Sequence, residues 1–544
     1  MKLRILCYML LLTFVFPNKF VENNHKNILR SDRAKGYLHN GPAKSSVQNW
    51  GNLIDWDYNP SGGWENYTYV PTLGLMVGVP GKDENGNIYP WALRPNEEND
   101  SLVYWGPTVS ESWFTRFTPS NNTDWEPVEG ANGNSFYGIS AGEVFSDSSW
   151  VSDGDSFPLL AHSNVEATWP TDDQLIPFWP GWLESNGDFF SDLDIYLEFD
   201  DRYAYRDESP TQGYPIGIRF EIVGSSNLTI EGDDATIFRA KLINESSYDY
   251  VDLYTGFYFD ADVLMGDLEG YSGGLHTNAD DMMGFNSDLD IAYIYDYDGS
   301  SGGATNIGYV GVMYINDSYS NVGLTGMRWF DWYVRPGVSS QEGNNNCCAG
   351  DPGKPGVDDM EAIQYALLSN NINYPNEMIS DWEWRGIDSG ENPRMDEYNE
   401  WYFHPNPENG YMDPNFDSIE AIYESSYFIE GEDGLDCITF MSSGPFNINS
   451  GDTLELNFAL VFGEDESDLF LNAENIKSYF ECSVDNLGDV NQDGIINIMD
   501  IITVANIVLD NTNPTECQIT LADVNQNGIV NIADIILIIN IILA

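Results

Sequence analysis

From about residue 46 to residue 484, apolar and polar positions alternate in short runs broken by Gly, Asn, Asp and Ser. Period-two alternation in β-branched and aromatic residues predicts strands. The runs are Ile216–Val223, Ala235–Asn244, Val251–Phe259, Leu289–Tyr295, Tyr309–Ile315, Leu324–Val334 and Thr453–Phe462. Helical spacing is confined to Asp358–Leu368, Asp417–Ser425 and Ser467–Phe480, the last opened by a Ser cap. Many short strands at such spacing predict a mainly β, sandwich-like body. It is expected to form one or two β domains, with a sub-boundary near residue 210. Residues 337–357 read as a Gly/Asn/Pro-rich loop.

The two ends break this texture. At the start, Lys2 and Arg4 precede an apolar run, Ile5–Phe16. A basic region before ~7–15 apolar residues predicts a secretory signal. The run is shorter than the ~20 residues of a membrane span, and no later stretch reads as one. The expected organisation is a signal peptide at 1–20 and a basic linker at 21–45. The β body follows at 46–484, and a separate small helical domain at 485–544. The mature chain is expected outside the cell, secreted or attached to its surface.

Charge sharpens this division. The 544 residues carry 22 Lys and Arg against 87 Asp and Glu, a formal net charge of -65. Eight of the basic residues fall within the first 44 positions: Lys2, Arg4, Lys19, Lys26, Arg30, Arg33, Lys35 and Lys44. The acidic remainder excludes nucleic acid as a partner, because that binding needs a basic surface. It also disfavours anionic membranes. A hydrophobic fraction of 42% supports a folded core despite the charge.

At the C-terminus two segments repeat 34 residues apart, Asp489-Val-Asn-Gln-Asp-Gly-Ile-Ile-Asn-Ile-Met-Asp500 and Asp523-Val-Asn-Gln-Asn-Gly-Ile-Val-Asn-Ile-Ala-Asp534. Each alternates oxygen-bearing side chains, turns at Gly494 or Gly528, and ends in a carboxylate. Calcium takes six to eight oxygens around one point, and this alternation turns them inward. The first loop offers Asp489, Asn491, Asp493, the Ile495 carbonyl, Asn497 (through water) and Asp500. The second offers Asp523, Asn525, Asn527, the Ile529 carbonyl, Asn531 and Asp534. An apolar helix follows each loop, Met499–Leu509 and Ala533–Leu543. The first loop has three carboxylates and the second two, so the second is expected to bind more weakly. Helix Ile535–Leu543 is apolar on nearly every face, which predicts burial between the first repeat and the main body, with an exposed docking surface as the alternative.

The strings GDVNQDGIINIMDIITVANIVL and ADVNQNGIVNIADIILIINIIL resemble the type I dockerin module. The resemblance implies calcium-dependent folding and docking to a cohesin-like receptor. Such modules commonly tether polysaccharide-degrading enzymes or other exported proteins. The residues before each distal Asp are Ile498-Met499 and Ile532-Ala533, where cellulosomal copies usually carry polar recognition residues. The basic pair usual on the following helix is missing. These changes spare the calcium ligands. The body resembles large, acidic, uncharacterised exported β-rich proteins of marine bacteria. The strings that carry this are FWPGWLESNGDFFSDLDIYLEFDDRYA, GFYFDADVLMGD with DDMMGFNSDLDIAYIYD, and MSSGPFNINSGDTLELNFALVFG. This second resemblance implies no catalytic residue.

Export makes disulfides the expected state of Cys347, Cys348, Cys437, Cys482 and Cys517, with one cysteine left over. Cys347 and Cys348 read as disulfide ends in a loop. Cys482 and Cys517 bracket the first repeat and would clamp it. Other chemistry in the body is sparse. Asp260, Asp262, Asp267, Asp280, Asp281 and Asp288 cluster near turns, as a further calcium site or as ordinary acidic turns. Asp296-Tyr-Asp298-Gly is a weaker instance of the same pattern. Gly138-Ile-Ser140-Ala-Gly142 matches a nucleophile elbow but lacks the helix that must follow it. Only His25, His39, His162, His276 and His404 could serve as a base. Trp105, Trp113, Trp179 and Trp182 are candidates for stacking on sugars, against the commoner core role of aromatics. The expected function is a secreted, calcium-binding, dockerin-bearing component with a binding or structural role in extracellular polysaccharide degradation. The alternative is a hydrolase of O-glycosyl bonds whose carboxylate pair lies in the β body. The sequence leaves catalysis open and leans against it.

Overall fold

The computed structural model describes most of residues 33–82, 159–202, 215–263, 281–331, 437–481 and 487–543. Short pieces are also described at 88–89, 107–111, 123–128, 266–267 and 364–369. The body is a β-sandwich, and the region after residue 466 is helical. In chain order its main strands are β1 (Lys35–Leu38), β2 (Ala43–Gln48), β3 (Thr72–Val79), β4 (Leu193–Asp200), β5 (Ile218–Ser226), β6 (Ala235–Asn244) and β7 (Tyr250–Asp260). They continue with β8 (Asp281–Asn286), β9 (Ile291–Asp296), β10 (Tyr309–Ile315), β11 (Leu324–Asp331), β12 (Cys437–Ile448) and β13 (Thr453–Gly463). The helices are α1 (Glu466–Glu481), α2 (Ile498–Val508), α3 (Glu516–Ala522) and α4 (Ile532–Leu543).

One sheet of nine strands runs in the order Glu126–Pro127, β4, β5, β6, β13, β10, β9, β8, with Ala161–His162 paired to β4. A six-stranded sheet runs β11, β12, β7, β3 and Asn52–Asp55, with Thr108–Ser110 paired to β3. A five-stranded sheet contains β1 and β2. Alternation decides which side chains meet. Leu197, Phe199, Phe220, Ile222, Phe238 and Phe458 of the large sheet face Leu75, Phe257 and Met441 of the second. Phe257 and Phe458 lie 4.5 Å apart between ring centroids, and Phe458 stacks on Phe238 at 5.0 Å. These contacts are the middle of the sandwich.

The strands on either side of residue 210 are one sheet, because β4 and β5 pair antiparallel from Leu193↔Ser226 to Asp200↔Arg219. Asp201, just after β4, locks the start of β5. Its fully buried carboxylate accepts the backbone N–H groups of Ile216, Gly217 and Ile218 at 2.7, 2.8 and 3.0 Å. It also accepts the Ser110 hydroxyl at 2.6 Å. Burial raises its pKa to about 7 even so. The β structure starts inside the stretch read as a basic linker. Lys35 sits in β1 and is itself buried.

The large sheet's outer face is covered in two places. Helix α1 lays Leu469, Ala473, Ile476 and Phe480, one helical face, onto Ile237, Ile291, Met313 and Val461. Its cap is Asp465 rather than Ser467. Asp465 accepts Asp468 N–H at 3.0 Å, while Asp468 accepts Glu464 N–H at 2.9 Å. Gly463 permits the junction, since a Cβ there would come within 2.3 Å of Leu469 N. The second cover is the Pro/Trp-rich segment 165–192. Its Trp169, Trp179 and Trp182 pack on Ala161, Tyr196 and Val223.

Candidate functional site

The C-terminal helices α2, α3 and α4 close around their own core of Val490, Val504, Leu521, Ala522 and Ile538. Both repeats reach this core through the same local design. In the first loop, Asn497 caps α2 by accepting Met499 N–H at 2.8 Å. Its own N–H goes to Asp500 Oδ2 at 2.8 Å, and Asn491 N–H goes to Asp500 Oδ1 at 3.1 Å. In the second, Asn531 accepts Ala533 N–H at 2.8 Å and donates its N–H to Asp534 Oδ2 at 2.9 Å. Asn525 N–H reaches Asp534 Oδ1 at 3.3 Å. Asp500 and Asp534 are fully buried at the helix starts. There the helix dipole favours a negative charge.

The remaining loop oxygens are arranged in parallel. Asn497 Nδ2 donates to the Ile495 carbonyl at 2.8 Å, and Asn531 Nδ2 donates to the Ile529 carbonyl at 2.9 Å. Asp523 accepts Asn527 N–H at 3.1 Å, and Gly528 turns with φ of +79°. Asp489 is buried at the head of the first loop. Asp493 and Gly494 lie outside the described residues. Each carboxylate oxygen has two lone pairs, so the N–H bonds leave acceptor capacity toward the loop interior. The chemistry is all hard oxygen, which suits calcium.

Residues 487–543 match the family model of the type I dockerin domain. No curated protein matches the chain. The dockerin module is thus present at the end of a β-rich body. Its calcium-binding potential is a property of the module, and the structure corrects the wider expectation. Among the described residues, no three His, Cys, Asp or Glu side chains gather as a metal site. The second dockerin loop has only two carboxylates and takes its other oxygens from amides and a carbonyl. In the body, Asp281 accepts Val263 N–H at 3.3 Å, and Asp260 accepts the Tyr258 hydroxyl at 3.4 Å. Both acids thus accept hydrogen bonds within the fold, and among the described residues neither joins a metal group. Asp262 and Asp288 are described but join no metal group, and nothing is described of the Asp267 side chain. Asp280 and Asp298 lie outside the described residues.

The disulfide expectation is corrected at Cys437. Cys437 is a buried thiol outside any disulfide at the start of β12, and it donates to the Asp281 carbonyl oxygen at 3.7 Å. Strand position and an apolar surround account for its burial. No disulfide joins two described cysteines. Cys517 is disulfide-bonded; Cys347, Cys348 and Cys482 lie outside the described residues. Burial of α4 between the first repeat and the body is corrected too: it packs Ile538 on the first repeat and leaves much of its apolar surface exposed. Of its apolar side chains Ile538 alone is fully buried, while Ile532 is 69% and Ile536 54% exposed. On α2, Ile498 is 66% and Met499 52% exposed.

Among the sugar-stacking candidates, Trp179 and Trp182 come together in the outer-face patch with Trp169. Trp105 and Trp113 lie outside the described residues, as do the 138–142 elbow, His25, His276 and His404. His162 is a core residue. Its Nδ1 faces the Leu160 carbonyl at 2.7 Å, and its Nε2 accepts Tyr37 N–H at 3.3 Å. Burial lowers its pKa to about 4, so it stays neutral. Burial and the nearby Lys44 likewise lower the pKa of His39.

The sequence did not single out Glu198 and Glu221. These are direct cross-strand partners on β4 and β5, and Arg219 Nη1 donates to both. Their bonded oxygens are therefore within about 6 Å, two hydrogen-bond lengths. Glu198 also accepts the Tyr196 hydroxyl at 2.8 Å, and burial raises its pKa. No alternation within one strand could pair these acids, because their meeting depends on register.

Proposed function

We propose that this chain is an exported accessory protein that acts without catalysis. In this reading its C-terminal module folds around two calcium ions and docks the β body to a cohesin-like receptor in extracellular polysaccharide breakdown. The calcium ligands are Asp489, Asn491, Asp493, Ile495, Asn497 and Asp500 in one loop, and Asp523, Asn525, Asn527, Ile529, Asn531 and Asp534 in the other. In this reading the module spans 485–544, and the body before it takes in β1 at Lys35–Leu38.

The observation that carries this reading is the duplicated hydrogen-bond design that sets Asp500 and Asp534 at the starts of α2 and α4. The helix faces beside those starts supply the docking surface. Ile498, Met499, Ile532 and Ile536 are exposed and apolar, and clustered exposed apolar side chains mark interaction sites. The acidic body fits the role of cargo, since its charge keeps it soluble. Among the described residues no helix is long and apolar enough to cross a membrane.

The test is capture of the full chain by a panel of immobilised cohesin modules, with calcium and with chelator. Capture that needs calcium, and falls at least tenfold in a Met499→Asp, Ile532→Asp double variant, supports the reading. Absence of capture by every module in calcium contradicts it.

A further inference from the structure

We propose that the outer face of the nine-stranded sheet carries a binding ledge for a neutral polysaccharide, floored by Glu198, Glu221 and Lys241 and walled by Trp182. The proposal deepens the reading above, resting on its polysaccharide setting but not on the dockerin module.

The ledge follows from register. Glu198 pairs with Glu221, Glu221 with Lys241, and Lys241 with Glu455, on four adjacent strands. Neighbouring strands are ~4.8 Å apart, so the row spans about 14 Å. Cross-strand partners share a face of the sheet. The neighbouring row on the same face, Tyr196, Val223 and Arg239, lies under the tryptophan segment. The segment therefore ends where the polar row begins. Trp182 stands at that edge, with Lys241 Nζ 4.4 Å and Arg239 Cζ 5.9 Å from its ring centroid.

The wall is fixed in place. Arg239 Nη1 bonds Glu184 at 2.6 Å, and its guanidinium lies 4.0 Å from the Phe190 ring centroid. Trp169 Nε1 donates to the His162 carbonyl at 2.7 Å, and Trp179 sits edge-on to Phe189 at 5.2 Å. The floor is fixed by Arg219, which bonds Glu198, Glu221 and Glu245. The side chains of Glu198, Glu221 and Arg219 retain 12, 24 and 18% exposure. Holding polar groups in place before binding lowers the entropy cost of association.

The chemistry selects the ligand class. Carboxylates accept hydrogen bonds from sugar hydroxyls, and Lys241 donates to them. An indole offers an apolar surface to the C–H face of a sugar ring. Five carboxylates at the ledge and its wall (Glu184, Glu198, Glu221, Glu245 and Glu455) outnumber Lys241, Arg219 and Arg239 and repel an anionic chain. A neutral chain suffers no such repulsion.

The experiment is affinity electrophoresis of the full chain in calcium through gels of β-glucan, xylan or galactomannan, with alginate as the anionic comparison. Retardation by at least one neutral gel is expected, weakened at least tenfold in Trp182→Ala and at least threefold in Glu221→Gln. The second variant changes a partly exposed side chain without changing its size, which keeps the test valid should Trp182→Ala misfold. Migration unaffected by all three neutral gels overturns the ledge. So does retardation unchanged in both variants, or stronger retardation by alginate. Release of reducing ends that Glu221→Gln abolishes would overturn a role in binding alone. Loss of cohesin capture with retardation intact contradicts only the docking proposal, and the reverse result contradicts only the ledge.

Discussion

Asn497 and Asp500 hold each other across the start of α2. Asn497 caps the helix through its side chain and gives its own N–H to Asp500 at 2.8 Å. Asn531 and Asp534 repeat the arrangement at 2.9 Å. The last carboxylate of each loop thus ends the loop and begins the helix, so under the calcium assignment proposed above one residue would couple cation binding to helix formation.

Asp500→Ala should unfold more of the module than removal of a cap alone, which costs about 1 kcal/mol. The variant loses a calcium ligand as well as both N–H partners. Far-UV circular dichroism of the full chain in calcium should show helix loss in Asp500→Ala exceeding that in Asn497→Ala. Equal losses would mean that Asp500 acts only as a cap.

The two loops should titrate unequally, because the first has Asp493 where the second has Asn527. Affinity follows ligand charge. Calorimetry should resolve two calcium sites, and Asn527→Asp should tighten the weaker one. Two equal sites in the parent chain would contradict the assignment.

Asp201 should make the body less stable as pH rises. Its pKa is raised to about 7 in the fold by burial, against about 3.9 unfolded. Below about 4 both states hold the proton and nothing is lost. From about 4 to 7 the folded state binds more protons than the unfolded, so stability falls as pH increases, and the full loss is present above 7. Asp201→Asn should flatten that slope in thermal melts at pH 4.5 and 7.5. It should also cost about 1–3 kcal/mol, since Asn cannot accept every N–H that Asp201 accepts. A slope equal to the parent's would refute the assignment.

Leu469→Ala in α1 should destabilise the body by about 2–5 kcal/mol, the usual cost of a buried leucine cavity. Leu469 is fully buried against the outer face, whereas Leu471 is 53% exposed. Denaturant midpoints should drop for Leu469→Ala and barely move for Leu471→Ala. Similar midpoints would place α1 off the sheet.

Much of this fold was legible in runs rich in β-branched and aromatic residues. Strands Ala235–Asn244 and Tyr309–Ile315 have the ends that their alternation predicts. Strand Thr72–Val79 does not alternate because it is buried on both faces. Strand Lys35–Leu38 was hidden by a lysine that the fold buries. The dockerin module was legible because its repeat is local in sequence. The ledge was not, because Glu198, Glu221 and Lys241 meet only once three strands have found their register. The exposure of α4 was misjudged from its uniform apolarity, which cannot distinguish a core helix from a docking face.

Limited proteolysis of the full chain with and without chelator bears most directly on calcium-dependent folding of the module. Chelation should open residues 485–544 to rapid cleavage and leave the β body as a resistant fragment. A module that stays resistant and helical without calcium would contradict the account.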